Sequence, residues 1–200
     1  FALQLDGAIN NTSLVLAIEL EQSGKVLLFP GDAQVGSWLS WHEYEWKVRR
    51  AAKTETVTAT DLLARTVLYK VSHHGSHNAT LRAKGLELMT RPDLVAMIPV
   101  YRAAAEQRGW AMPFPTLLTR LKEKTRGRIL YSDPDFSDPK EKLTPELWEF
   151  AHCCVQEDQS DQKLWVELVV QTEEDEPAPR AKIKKPVAPP RPRTKRHKPV

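Results

Sequence analysis

Short apolar runs separated by polar, turn-forming residues dominate the first two thirds of the chain, and this pattern predicts a mixed α/β (α+β) fold. The run at 13–20 is almost continuously apolar, so we expect a strand that is covered on both faces. Segment 1–5 alternates weakly, and we expect it to neighbour 13–20 and 25–29 in one sheet. The predicted strands, in chain order, are 1–5, 13–20, 25–29, 66–71, 93–100, 128–131 and 163–172, the last at an edge of the sheet.

A second set of segments has apolar residues at three- and four-residue intervals, as amphipathic helices do. The longest of them carries Trp38, Trp41 and Trp46. We expect these rings to pack on the sheet, although a substrate pocket is the alternative. The predicted helices are 34–52, 62–64 capped by Thr60 or Asp61, 81–89, 115–124 and one that starts at Thr144, and the predicted loops are 53–59 and 101–111.

Two of the predicted strands end abruptly in residue types that can bind metals. Strand 25–29 is broken by Pro30 and Gly31 immediately before Asp32. A carboxylate at the end of a buried strand is costly unless a positive charge meets it, and a divalent cation is one solution. Strand 66–71 runs directly into Ser72, His73, His74 and Gly75, which presents imidazoles on a rigid platform. Together the two strand ends predict one metal site.

The order of these motifs resembles the C-terminal half of a metallo-β-lactamase-fold hydrolase, and in particular that domain in bacterial competence-channel proteins. The matching stretches are 10–16, 26–33 and 71–76, and the resemblance covers about residues 1–132. It implies the C-terminal half of an αββα sandwich within residues 1–172. In that fold Asp32 would be the carboxylate that bridges two metal ions and His73 the last histidine ligand, with His74 as the rival for that role.

The resemblance also implies an activity. Members of the family hydrolyse ester-type bonds, including phosphodiesters, with a water bound to two divalent cations, here zinc. Arg102 and Arg108 are candidates to hold a phosphate, with ordinary surface arginines as the alternative. His77 would contact substrate or simply be solvated. The start of segment 81–89 would lie near the metal and favour an anion.

One departure from the family limits this prediction. The HxHxDH motif of the N-terminal half is absent from the sequence, and the chain starts with Phe1 directly in a predicted strand. We therefore interpret the sequence as a fragment that is inactive alone and belongs to a metallohydrolase when full length. The alternative is a noncatalytic scaffold of the same fold that binds a partner.

Other metal-binding residue types have simpler explanations. His42 is expected to be on the surface or hydrogen-bonded rather than a ligand. Cys153 and Cys154 are adjacent and have no second pair at ligand spacing, so we expect them to pack in the core. The absence of any disulfide framework favours a reducing cytoplasm.

The charge of the chain is divided between its two ends. Residues 177–200 hold nine of the 29 Lys and Arg, none of the 26 Asp and Glu, and seven of the 15 prolines. Residues 1–176 are consequently acidic, with 20 basic against 26 acidic groups. Residues 173–200 are predicted to be a disordered tail that binds nucleic acid, an acidic membrane surface or an acidic partner, or else is a solvated linker. No apolar run is long enough to predict a membrane span.

Overall fold

The structure, a computed structural model, describes residues 13–50, 53–133, 144–157 and 165–172. The strands are β1 Leu16–Glu19, β2 Val26–Phe29, β3 Glu45–Arg50, β4 Lys53–Thr58, β5 Thr66–Lys70, β6 Val95–Ile98, β7 Ile129–Tyr131, β8 Val155–Glu157 and β9 Val166–Leu168. The α-helices are α1 Val35–Trp41, α2 Ala59–Ala64, α3 Arg102–Gln107, α4 Pro115–Thr125 and α5 Pro145–Cys154. Two short 3₁₀ segments cover Ser72–Gly75 and Leu86–Leu88.

A five-stranded mixed sheet is the centre of the fold. Its order is β1-β2-β5-β6-β7, in which β1 is antiparallel to β2 and the other neighbours are parallel. The mixed α/β class predicted from the sequence is confirmed, whereas the αββα sandwich stays a prediction. Because β2, β5 and β6 run parallel, their carboxyl ends lie at one edge of the sheet.

The main core lies on one face of this sheet. Strand residues such as Leu28 and Tyr69 contact Trp38 of α1 and Leu121 of α4, and all four side chains are buried. The hydroxyl of Thr66 donates to the carbonyl of Leu62, which ties β5 to the helix before it. On the same face, a capping box in which Thr58 and Asp61 bond each other's backbone starts α2.

The opposite face is apolar but open around β1. Leu14, Leu16 and Ile18 project to one side of the chain and are 72%, 44% and 45% exposed. In the described part of the chain this face of β1 is largely exposed, so the prediction that the strand is covered on both faces is wrong. Farther along this face, α5 and the small β8–β9 sheet lie near Val95, with Phe150 and Leu168 lining the space between.

The predicted helix 34–52 is the largest error. Helix α1 ends at Trp41, and the chain then forms an antiparallel hairpin of β3 and β4, in which Trp46 pairs with Val57. The alternation of Tyr44, Trp46 and Val48 fits a strand as well as a helix, and the threonine-rich segment 53–59 is its β-branched partner rather than a loop. Trp38 and Trp41 pack in or against the core as predicted, whereas Trp46 is 39% exposed.

Smaller corrections concern element type and position. Segment 101–111 contains α3 instead of being a loop, segment 81–89 has turns and one 3₁₀ turn instead of a helix, and α2 is capped by Thr58 instead of Thr60. Strand β9 pairs with β8 in a separate sheet and not with an edge of the main one. The predicted helices at Pro115 and Thr144 are confirmed, each with proline in its first turn.

Several predictions fall on residues outside the described ranges. These are the strand 1–5, the matching residues Asn10, Asn11 and Thr12, and the tail 173–200. Among the helices that the structure does describe, none has the length and apolarity to cross a bilayer.

Candidate metal centre

The two strand-end turns singled out in the sequence meet in space. The backbone N–H of His73 donates to the carbonyl of Gly31 over 3.2 Å. The hydroxyl of Ser72 lies 2.6 Å from the carbonyl of Ala33 and 3.1 Å from that of Gly31, and Ser72 is fully buried. These bonds join the backbone on both sides of Asp32 to the segment after β5. Asp32 and His73 are thereby held at the same edge of the sheet.

The histidine turn has a strained backbone. His73 and His74 both have left-handed torsions, with φ of 41° and 54°, and Gly75 follows with φ of 73°. For a residue with a side chain this conformation costs on the order of 1–3 kcal/mol, and such strain persists only where the surroundings impose it. A Cβ added at Gly75 would lie 3.1 Å from Cβ of Pro113. The carbonyl of Gly75 accepts a hydrogen bond from the N–H of Phe114. The 112–114 segment therefore helps to hold the turn.

The imidazole of His73 is positioned through its Nδ1 atom. This atom lies 3.2 Å from Oγ of Ser76, and the Ser76 hydroxyl donates to Oδ1 of Asn78 over 2.8 Å. Ser76 is only 4% exposed. Among the described residues no partner is recorded for Nε2 of His73, so that atom is available to a ligand.

His74 is fixed in a similar way by another element. Its Nδ1 lies 2.6 Å from the carbonyl of Pro99, just beyond the end of β6, and the carbonyl can only accept. The ring centroids of His73 and His74 are 6.0 Å apart. His74 also keeps Nε2 without a described partner, so the choice between the two histidines as ligand stays open.

Asp32 has the surroundings expected of a ligand. Its backbone N–H donates to Oγ of Ser13 over 3.2 Å, which fixes the turn. The residue is partly buried, and within the described ranges its carboxylate has no ion pair and no side-chain hydrogen bond. A partly buried carboxylate without a counter-charge is suited to a cation.

Asp32, His73 and His74 are of residue types that bind zinc, but they supply only part of a zinc centre. Carboxylate and imidazole are zinc ligands, and a catalytic zinc usually takes three from the protein. Nowhere in the described ranges do three or more His, Cys, Asp or Glu side chains come together in a group able to hold a metal ion. Asp32 with His73 or His74 would therefore need ligands from outside the described residues.

A cavity of about 540 Å³ lies next to the end of the histidine turn, because Phe114, whose N–H donates to the carbonyl of Gly75, lines it. His77 lines it and makes an edge-on contact with Phe114, with ring centroids 6.2 Å apart. Arg82, 80% exposed, and Arg120 add positive charge to its wall. Arg120 is held by Glu87 in a two-pronged pair of 2.8 Å and 2.5 Å, whereas Arg82 has one longer contact with Glu87, of 3.4 Å, so the guanidinium of Arg82 is the less constrained of the two.

The other candidates from the sequence are placed elsewhere or are engaged. The backbone N–H of Arg102 donates to Asp133, and the guanidinium of Arg108 lies 4.6 Å above the ring of Trp110. Nε2 of His42 bonds the carbonyl of Lys84 at 2.7 Å, in line with the hydrogen-bonded role expected for it. Cys153 is exposed and Cys154 partly buried, so the prediction that both pack in the core is wrong.

Comparisons of the chain with protein-family models, with curated proteins and with solved structures find no match. The resemblance to the metallo-β-lactamase fold consequently stays a prediction from the two turns.

Some residues of the site gave a weak signal in the sequence. Ser72 and Ser76 lie inside the histidine motif, but only the structure shows that one joins the two turns and the other contacts His73. Asn78 and Arg82 had no distinguishing pattern. Asn78 could have been suspected from its two-residue spacing to Ser76, since short polar side chains often bond locally in turns.

Proposed function

We propose that this chain supplies part of the active site of a metal-dependent hydrolase of the metallo-β-lactamase superfamily. The observation that supports this most directly is the joining of two parallel strand ends so that Asp32 and His73 lie at one sheet edge. The left-handed backbone of His73 and His74 is strained and is held in place by the surrounding contacts, which is also typical of functional sites. The remaining ligands would come from polypeptide outside the described residues.

Each residue would have a distinct task. Asp32 has two carboxylate oxygens and would contact both of two divalent cations, for which zinc is the first choice, while His73 would bind through Nε2. Such ions, when bound, supply an activated water and polarise the bond to be cleaved. The chain's own contribution is to hold these ligands rigidly, and His77 and Arg82 would contact the substrate in the adjoining cavity.

The substrate class that this arrangement favours is an ester-type bond next to a negative charge, with phosphodiesters first. Arg82 offers an exposed guanidinium on the wall of the cavity that His77 also lines, and one guanidinium can donate two hydrogen bonds to phosphate oxygens. The basic segment 177–200 adds a second attraction for polyanions.

The test is to purify the natural polypeptide through a tag at its carboxyl end, and to measure its zinc content and its hydrolytic activity. Asp32→Asn and His73→Ala should each lower bound zinc and abolish hydrolysis of bis(p-nitrophenyl) phosphate. His152→Ala is the matched control, because His152 is an exposed histidine of α5 that stacks on Trp148. Zinc content that is unchanged in both site variants would overturn the proposal.

A second candidate function is a noncatalytic binding module of the same fold. It is favoured by the apolar row of Leu14, Leu16 and Ile18, which is open to solvent in the described part of the chain. A zinc-free protein whose partner binding is lost on Leu16→Glu and retained in Asp32→Asn would establish this function instead.

A further inference from the structure

The contacts around His73 specify which ring nitrogen carries the proton. Oδ1 of Asn78 is a carbonyl oxygen and can only accept, so the single hydroxyl proton of Ser76 is committed to it over 2.8 Å. Ser76 Oγ can then only accept from His73 Nδ1, which is 3.2 Å away. A donor is required at Nδ1, and in a neutral imidazole this leaves Nε2 as a lone pair.

We propose that Ser76 and Asn78 are positioning residues that hold His73 in the Nδ1–H tautomer and so direct the lone pair of Nε2 to the metal. The importance of this step rests on the proposed function, but the tautomer itself does not. Partners of this kind orient histidine ligands in metal sites and raise their basicity. Here the partner would be a hydroxyl backed by an amide instead of a carboxylate.

The local fold supports a dedicated role for this pair. Ser76 is 4% exposed, and its backbone bonds at both ends, accepting from Ala79 and donating to the carbonyl of His73 over 3.0 Å each. The carbonyl of Ala79 in turn accepts from Nε1 of the fully buried Trp38. The contacts from Asn78 through Ser76 to His73, which we call the Ser76 relay, are therefore anchored to the main core.

His74 provides an internal control. Its Nδ1 donates to the backbone carbonyl of Pro99, a partner that no side-chain substitution removes. A change at Ser76 that merely loosened the turn would alter both histidines. A change that broke the relay would alter the protonated nitrogen of His73 and leave that of His74 in place.

The first measurement is nitrogen NMR of the ring atoms in the metal-free chain at about pH 8.5, where imidazole is neutral in model peptides. The wild-type protein should show His73 protonated at Nδ1. Ser76→Ala and Asn78→Leu should shift it towards Nε2–H, and Ser76→Thr, which keeps the hydroxyl, should restore Nδ1–H. Asn78→Asp should also keep it, because a carboxylate can only accept. A wild-type His73 protonated at Nε2 would overturn the proposal.

A zinc titration of the same samples separates this inference from the proposed function. The apparent dissociation constant, followed on the His73 signals, should rise about tenfold to a hundredfold in Ser76→Ala and return in Ser76→Thr. Equal zinc affinity in wild type and Ser76→Ala, with the tautomer changed, would overturn the positioning role. If His73 is protonated at Nδ1 but its NMR signals do not shift when zinc is added, the Ser76 relay is upheld and the proposed zinc function is rejected.

Discussion

The backbone N–H of His73 donates to the carbonyl of Gly31 over 3.2 Å, so two turns that are 42 positions apart in the sequence form one structure. The buried hydroxyl of Ser72 reinforces this junction by bonding to the carbonyl of Ala33. The positions of Asp32 and His73 therefore depend on each other through the backbone, and the junction should be sensitive to any change in either turn.

Gly31→Ala should destabilise the protein through this junction. Gly31 has φ of +57°, and an added Cβ would lie 3.0 Å from the carbonyl oxygen of Leu14 and 3.4 Å from Cβ of Ser13. Left-handed backbone and the required shift together should lower the free energy of unfolding by about 1–3 kcal/mol, measured by urea denaturation. Gly36→Ala is the control, since Gly36 lies in α1 with open space around it, and it should stabilise by about 0.5–1 kcal/mol. Equal stability of the two variants would contradict this assignment.

Leu28→Ala and Leu16→Ala should separate the covered face of the sheet from the open one. Leu28 is 4% exposed in the core, so its truncation should lower the free energy of unfolding by about 2–4 kcal/mol. Leu16 is 44% exposed on the neighbouring strand, and its loss should cost less than about 1 kcal/mol. If Leu16→Ala lowered the thermal unfolding temperature as much as Leu28→Ala, the face of β1 that carries Leu16 would be covered in solution.

Glu87→Gln should change how stability depends on acid. The two-pronged hydrogen bond from Arg120 lowers the pKa of Glu87 to about 2, against burial, with smaller help from Arg82 and Lys124. A depressed folded-state pKa stabilises the protein above the unfolded value of 4.5, and this contribution is lost as pH falls from about 4.5 towards 2.

The difference in unfolding free energy between wild type and Glu87→Gln should accordingly be about 1 kcal/mol at pH 7, after allowance for partial exposure, and should shrink below pH 4. Denaturant titrations across this range provide the measurement. Glu123→Gln, which removes a more exposed contact of the same Arg120, should have a smaller effect. A pH-independent difference for Glu87→Gln would show that the loss comes from packing alone.

Tyr69→Phe should alter stability in alkali. Tyr69 is fully buried, and burial raises the pKa of its phenol to about 12, although hydrogen bonds with Thr80 and Ser72 oppose this. The unfolded chain ionises first, near pH 10, so the wild-type protein loses stability as pH rises from about 10 to 12. The variant should lack that component and should lose about 1–2 kcal/mol at neutral pH from the broken bond to Thr80.

Guanidinium titrations at pH 7 and above pH 10 would measure both effects. Tyr101→Phe is the control, because Tyr101 is 66% exposed. A Tyr69→Phe protein that keeps the full alkaline loss of the wild type would show that Tyr69 is not the group responsible.

The sequence alone determined the elements with strong local signals. The sequence predicts strands β2 and β5 because apolar runs end at Pro30 and at the histidine turn. It predicts helix α4 because Pro115 starts the helix and Gly127 follows it. The sequence also predicted that Asp32 and His73 belong to one site, and the parallel strands β2 and β5 place both residues at the same edge of the sheet. The strand ends and the helix start depend on residues that are close together in the chain, whereas the meeting of the two turns depends on the pairing of β2 with β5.

Only the tertiary structure decided the rest, because the competing local patterns are nearly equal in energy. Trp46 and Val48 fit a helix or a strand, and the backbone hydrogen bonds that β4 offers across the hairpin select the strand. The apolar run of β1 does not reveal which of its faces is covered, since that depends on neighbours distant in sequence. The link from Asn78 through Ser76 to His73 likewise exists only once the strained turn folds these side chains onto one another.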